Sequence, residues 1–215
     1  MNLPRRLLAA VGFVRKGAAV YDVGTDHAAL PCYLALNGFS PVYACDVNEG
    51  PLRRAEARIK RLGANVVLLR SDGLESVPGF APGAGNGENA ARDVIIAGMG
   101  GGLIADIVGK LRVKDENLRL ILQPMSRHED LRRGLYASGF GIIAEKAVAE
   151  RGRLYVVIHA KVASGAARIS DAEAFVGTSG DLEYIRRRVA VLEKMGRGDA
   201  RFTRLAESIK EKYPI

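Results

Sequence analysis

The chain has 215 residues, of which 48% are hydrophobic and 26% charged, and its formal net charge at pH 7 is +8. These values are ordinary for a soluble globular protein and allow one full domain with a small appendage. The positive charge favours a polyanionic partner, with nucleic acid first, although a generally basic soluble protein would share it. The two cysteines, Cys32 and Cys45, make neither a disulfide framework nor a zinc signature, so we expect reduced buried thiols.

The N-terminus predicts a short amphipathic helix over Leu3–Val14, with Leu8 and Val11 on its apolar face. This segment resembles a signal peptide only weakly, because Arg15 and Lys16 interrupt it and no convincing cleavage site follows. No apolar run is long enough to span a bilayer. We therefore expect a cytoplasmic protein without a membrane partner.

Strands and helices then alternate along the chain. The predicted strands are Ala18–Val23, Pro41–Cys45, Val66–Leu69, Asp93–Ala97, Leu118–Leu122, Phe140–Ala149 and Arg153–Lys161. The predicted helices between them are Ala28–Asn37, Pro51–Leu62, Leu103–Leu111 and Glu129–Ser138. Alternation calls for a parallel sheet covered on both faces, and the closing hairpin makes one strand antiparallel. The expected fold is α/β and Rossmann-like, with a seven-stranded mixed sheet, as in class I S-adenosylmethionine methyltransferases.

The composition changes after Lys161. Two helices over Leu182–Lys194 and Phe202–Lys212 predict a small C-terminal helical, coiled-coil-like hairpin. We therefore expect two domains, residues 1–161 and 162–215. Earlier in the chain, Pro78–Ala91 is rich in glycine and small polar residues and predicts a flexible surface loop.

Acids and glycines recur where the predicted strands end, and ligands of open α/β sheets bind outside those ends. Each residue alone is explained by a helix cap or a turn, but together they indicate a bound nucleoside cofactor. Asp46 is placed for ribose hydroxyls, Asp72 for an adenine amino group, and Asp22 for an ammonium group. The predicted cofactor-binding residues are Asp22, Gly24, Asp46, Val47, Asp72, Gly73, Gly98, Met99 and Gly100.

A nicotinamide dinucleotide is the competing ligand. Its G-x-G-x-x-G pattern is absent, since the first turn reads Gly24-Thr25-Asp26-His27. Acids at Asp22 and Asp26 would also repel phosphates. They suit S-adenosylmethionine, which carries a sulfonium and an ammonium.

Asp26 and His27 are the candidate catalytic residues. A lone histidine is more often structural, but the neighbouring carboxylate makes a functional role as plausible. His128 and His159 lie at no metal-ligand spacing from it, so we expect no metal. No nucleophilic triad stands at convincing positions.

The motifs YDVGTDHAALPCYL, ACDVNEGPLRRAE, LRSDGLESV, VIIAGMGGGLIADI and LILQPMSRHEDLRRGLYASGFGIIAEKAVAERGRLYVVI resemble the bacterial tRNA (adenine-22-N1)-methyltransferase family. They cover most of Val20–Ile158. The resemblance implies methyl transfer from S-adenosylmethionine to N1 of an adenine in the D-arm of tRNA. Two features depart from the family: Ala29 stands where a tyrosine is common, and the glycine-rich loop Gly79–Ala91 is longer than usual.

Adenine N1 attacks through an in-plane lone pair and needs no deprotonation. The main task of the enzyme is therefore to align N1 with the methyl group and the sulfonium leaving group. A carboxylate near the base would stabilise the cationic product, and Asp26 is the first candidate, with His27 orienting. The N6-amine methylase motif is missing after the fourth strand. Candidate phosphate contacts are the arginines at positions 5, 6, 53, 54, 58, 132 and 133.

Two alternatives remain open from the residues. One is a non-catalytic RNA-binding protein on the same fold, and the other is a nicotinamide-dependent oxidoreductase. We expect tRNA as the macromolecular partner and a monomer or weak homodimer.

Overall fold

The computed structural model describes residues 1–74, 77, 79–80, 90–165 and 168–215. The strands are β1 (Ala19–Val23), β2 (Val42–Asp46), β3 (Val67–Arg70), β4 (Arg92–Gly100), β5 (Leu118–Ser126), β6 (Phe140–Glu150) and β7 (Arg153–Val162). The helices are α1 (Arg5–Val11), α2 (Ala29–Leu36), α3 (Glu49–Leu62), α4 (Gly101–Gly109), α5 (His128–Ala137), α6 (Asp171–Val176), α7 (Leu182–Gly196) and α8 (Ala200–Lys212).

The strands form one sheet in the order β3-β2-β1-β4-β5-β7-β6. The first five strands are parallel, and β7 runs antiparallel to both β5 and β6. This confirms the predicted seven-stranded mixed sheet. Because β1 lies between β2 and β4, the strand order reverses there, and a crevice for a ligand is expected at that point.

Both faces of the sheet are buried, as the near-continuous apolar strands require. Along β1, Tyr21 contributes to the core on one face and Val20 to the core on the other. The first core includes Ile104 of α4 and Leu131 of α5, whereas the second includes Leu34 of α2. The alternation follows from successive strand side chains pointing to opposite faces.

Several predicted boundaries shift. The first helix is shorter, Arg5–Val11, and Leu8, predicted on its apolar face, is 38% exposed. The third helix begins at Glu49, two residues before Pro51. The predicted loop Pro78–Ala91 lies mostly outside the described residues, although Phe80 is described and is buried in the core.

The C-terminal helices α7 and α8 match the predicted hairpin, and the additional short helix α6 precedes them. These helices share a core that includes Phe175, Leu192 and Ile209. Tyr184 of α7 belongs instead to the first core of the sheet, and the division into two domains stays a prediction. Within the part of the chain described, no helix is long and apolar enough to cross a membrane.

Candidate cofactor and catalytic site

A pocket of about 260 Å³ opens at the carboxyl ends of β1 to β4, where the strand order reverses. This is the place at which open α/β sheets bind ligands. Six of the nine predicted cofactor-binding residues line it: Gly24, Asp46, Val47, Asp72, Gly73 and Met99.

The other three predicted residues, Asp22, Gly98 and Gly100, are not part of the lining. Asp22 is buried in β1, directly before the lining residue Val23. Gly98 and Gly100 belong to β4, which continues through the glycine segment instead of ending at the predicted Ala97. The expected glycine turn is therefore a strand extension with irregular register against β5.

The Asp22 carboxyl group lies in a setting that disfavours negative charge. Burial raises its pKa to about 7, and the negative charge of nearby Asp46 adds to the increase. The group therefore titrates near neutral pH in the free protein. A cation placed beside it would favour its charged form and be attracted by it.

Gly24 forms the turn that follows β1. Its φ of +76° lies in the left-handed region, and a Cβ built there would be 1.9 Å from Met99 Cε. The first property favours glycine because other residues pay a steric cost there. The second shows that the turn and the Met99 side chain share the same small space at the pocket wall.

Helix α4 supplies lining residues that the sequence interpretation missed. Leu103, Asp106 and Ile107 lie on one face of this helix, because residues three and four apart are neighbours on a helix, and Lys110 follows as its C-cap residue. Lys110 Nζ is 3.6 Å from Asp72 Oδ2. The helical spacing of these residues is present in the sequence, but the rule that ligands bind at strand ends does not identify it.

The pocket is acidic. Asp46, Asp72 and Asp106 line it with one basic residue, Lys110. The Asp46 Oδ1 atom accepts a hydrogen bond from the Asn48 backbone N–H at 2.9 Å. Among the described residues, no group of three or more His, Cys, Asp or Glu side chains is arranged to hold a metal ion.

The two candidate catalytic residues lie on the turn between β1 and α2, just beyond Gly24. His27 Nε2 is 3.4 Å from Asp26 Oδ2, and both side chains are largely exposed. Arg54 of α3 donates from Nη2 to Asp26 Oδ1 at 2.9 Å. The predicted pair thus lies next to the lining residue Gly24 without lining the pocket itself, and Arg54 joins it.

The carboxyl ends of β4 and β5 meet beside the pocket. A Cβ built on Gly101 would lie 2.2 Å from the backbone oxygen of Arg127, so the segments that follow β4 and β5 are in contact through their backbones. Gln123 of β5 is fully buried, and its Nε2 donates to Pro124 O at 2.8 Å. Ala97 and Met99 of the AGMGG segment also pair with Gln123 and Pro124 of the LQPM segment, so the two segments pack together.

Arg132 is not a surface residue, which corrects its prediction as a phosphate contact. Its side chain and that of Glu145 are both 0% exposed and form an ion pair at 2.7 Å. The same guanidinium donates to the backbone oxygens of Ala174 and Phe175 and to the Tyr184 hydroxyl. It therefore joins α5 and β6 of the sheet domain to α6 and α7.

A second pair strengthens this junction: Arg188 of α7 lies 2.6 Å from Glu129 of α5. His128 lies beside it, with Nδ1 at 3.4 Å from the Tyr184 hydroxyl. Burial, with the positive charges of Arg188 and Arg132, lowers the pKa of His128 to about 4. His128 is therefore neutral at pH 7 and forms part of this junction.

Comparison with known families gives a consistent picture. Residues 3–158 match the family model described as a methyltransferase domain. The tRNA (adenine(22)-N(1))-methyltransferase of Bacillus subtilis (strain 168) is 35% identical over 166 residues, which cover 75% of this chain and 66% of that protein. A proposed tRNA methyltransferase of Mycoplasma pneumoniae is 31% identical over 162 residues, covering 73% and 70% of the two chains.

Solved structures extend the similarity over nearly the whole chain. Sp1610 of Streptococcus pneumoniae, a proposed tRNA (m1A22) methyltransferase solved with S-adenosyl-L-methionine, is 30% identical with a TM-score of 0.78. The alignment covers 98% of this chain and 99% of that one. The C-terminal helices are thus included in the similarity.

Proposed function

This chain belongs to the family of bacterial tRNA (adenine(22)-N(1))-methyltransferases, and we propose that it transfers a methyl group from S-adenosylmethionine to N1 of the adenine at position 22, in the D-arm of tRNA. The observation that carries the proposal for this chain's own residues is the acidic pocket at the point where the strand order reverses. That pocket combines the usual ligand position of the fold with a charge that suits a cationic cofactor.

The residues present fit S-adenosylmethionine. Asp46 is the last residue of β2, and its carboxylate accepts the Asn48 backbone N–H through Oδ1. Lone pairs of the carboxylate therefore remain to accept hydrogen bonds from the ribose hydroxyls. Asp72 is placed to accept from the adenine amino group, and buried Asp22 to attract the ammonium group, directly or through water. Gly24 and Gly73, both at positive φ, leave the lining without side chains where the ligand passes.

The same pocket argues against a nicotinamide dinucleotide. A pyrophosphate needs a glycine-rich helix N-terminus with backbone N–H groups aimed at it. Here α2 begins after Ala28 in the left-handed region, and acidic side chains surround the preceding turn. Phosphate groups would therefore meet repulsion where they require donors.

When bound, S-adenosylmethionine supplies a methyl group activated by its sulfonium. The chain's task is to hold adenine N1 in line with that methyl group, so that the N1–C bond forms as the S–C bond breaks. The base becomes cationic as the reaction proceeds. The Asp26 carboxylate stabilises this charge, and His27 orients the carboxylate or the base.

The chain has a formal net charge of +8, and exposed basic side chains hold the tRNA phosphates. Exposed Arg53 on α3 is a candidate phosphate contact near the site. A base inside the D-arm must leave its stack to reach the pocket. We expect the protein to act as a monomer or weak homodimer.

The test is incubation of the protein with unmodified tRNA and labelled S-adenosylmethionine, followed by nucleoside mass spectrometry. We expect 1-methyladenosine at position 22, and loss of the product from a tRNA carrying guanine there. Cofactor binding without methylation of any tRNA would support the non-catalytic RNA-binding alternative. Binding of NAD(P)H in place of S-adenosylmethionine would support the oxidoreductase.

A further inference from the structure

The turn between β1 and α2 holds two strained residues. Asp26 has φ of 45° and Ala28 has φ of 50°, so both lie in the left-handed region although neither is glycine. Such conformations cost energy and persist only where the surroundings hold them, and they cluster at functional sites. His27 stands between them. The backbone therefore presents Asp26 and His27 in an orientation that a relaxed helix start would not give.

The Asp26 carboxylate is held from two sides. Arg54 Nη2 lies 2.9 Å from Oδ1, and His27 Nε2 lies 3.4 Å from Oδ2. The Asp26 side chain is nevertheless 61% exposed. Each carboxylate oxygen accepts more than one hydrogen bond, so both oxygens retain lone pairs for a donor arriving from solvent.

Arg54 reaches this carboxylate from a different element. It lies on α3, the helix that follows Asp46 at the pocket, whereas Asp26 lies on the turn after β1. The contact therefore joins the turn after β1 to helix α3, across 28 positions of the chain. Its neighbour Arg53 instead pairs with Glu49 along the same helix, at 3.4 Å and 75% side-chain exposure.

We propose that Arg54 is a positioning residue, which fixes the Asp26 carboxylate toward the target adenine and is not primarily a phosphate contact. The inference rests on the proposed function, in which Asp26 faces the base. A pair this exposed contributes little to stability. Its value lies in orientation, because a fixed carboxylate meets the developing charge without reorganising.

A second exposed arginine of α3, Arg61, provides a matched comparison. With saturating S-adenosylmethionine, we expect Arg54→Gln to lower kcat by about tenfold while KM for tRNA changes by less than about twofold. Arg61→Gln, at an exposed arginine in the last turn of the same helix, should leave kcat within about twofold of the wild-type value. In an Asp26→Asn background, Arg54→Gln should have little further effect, since two residues acting through one another are not additive. Affinity for S-adenosylmethionine, measured by calorimetry without tRNA, should be unchanged.

A rise in KM for tRNA with unchanged kcat, or multiplicative effects in the double variant, would overturn the inference in favour of a phosphate contact. A wild-type protein that makes no 1-methyladenosine would instead reject the proposed function. The contact has a test independent of activity, in the side-chain N–H signals of Arg54 by NMR. Asp26→Asn should broaden them through faster solvent exchange and Glu49→Gln should not; unchanged signals in both variants would reject the contact.

Discussion

Replacing Arg132 by methionine should destabilise the protein far more than any surface substitution. The guanidinium is fully buried against Glu145, so the variant leaves a buried carboxylate whose remaining assigned donors come from Thr178. Breaking a buried ion pair from one side costs about 3–5 kcal/mol. For a chain of this size, each kcal/mol changes Tm by about 2–4 °C, so the expected decrease is about 6–20 °C.

Scanning calorimetry at constant pH and salt measures this decrease. The control is Arg133→Met, which removes the adjacent arginine of α5, whose pair with Asp171 is exposed. Such a pair is worth about 0–1 kcal/mol, so Tm should fall by less than about 4 °C. Combining Arg132→Met with Glu145→Leu should recover part of the loss, because no unpaired carboxylate remains. Equal Tm values for the two single variants would refute the reasoning.

Three further outcomes are expected. The pKa of Asp22 is about 7 in the folded protein against an ordinary value of 3.8, so between these pH values the folded protein holds a proton that the unfolded chain has lost. The free energy of unfolding should therefore fall as pH rises across that range, and thermal melts of Asp22→Asn should lack this component. Gly24→Ala and Gly63→Ala both place a side chain at positive φ, but only Gly63 faces open space. Titration calorimetry should therefore show S-adenosylmethionine binding at least about tenfold weaker in Gly24→Ala and changed by less than about twofold in Gly63→Ala. Equal affinities of the two variants would count against the pocket assignment. In Gly101→Ala the new methyl group overlaps the backbone of Arg127, so Tm should fall by about 2–12 °C. In Gly102→Ala the methyl group meets only the end of the flexible Arg127 side chain at 3.4 Å, so this variant should melt at or above the wild-type temperature. A lower Tm for Gly102→Ala than for Gly101→Ala would contradict the packing described.

The sheet and most of the pocket were predictable because their signals are local. Each strand is a short apolar run, and Asp46 or Asp72 follows directly where that run ends. Parallel strands bring such ends to one edge, so residues far apart in sequence are placed together without any knowledge of packing. Leu103 and Ile107 needed a second rule, the helical face, and were missed.

Arg132 was not predictable in the same way. In the sequence it stands beside Arg133 on an amphipathic helix, and the pair looks like one solvated face. Its burial depends on Ala174 of α6 and Tyr184 of α7, which are 42 and 52 residues further along the chain. The short helix α6 had a local signal, the capping box Ser170 to Glu173, which was overlooked.

The backbone contact between Gly101 and Arg127 has a consequence for reading related sequences. The two segments that meet there, one after each of two neighbouring strands, are separated by about 25 residues, and the contact leaves no room for a methyl group. A substitution in either segment requires a compensating change in the other, so we expect the two segments to vary together among related sequences. A relative that keeps the first segment and loses the second should be expected to have rebuilt this corner of the site.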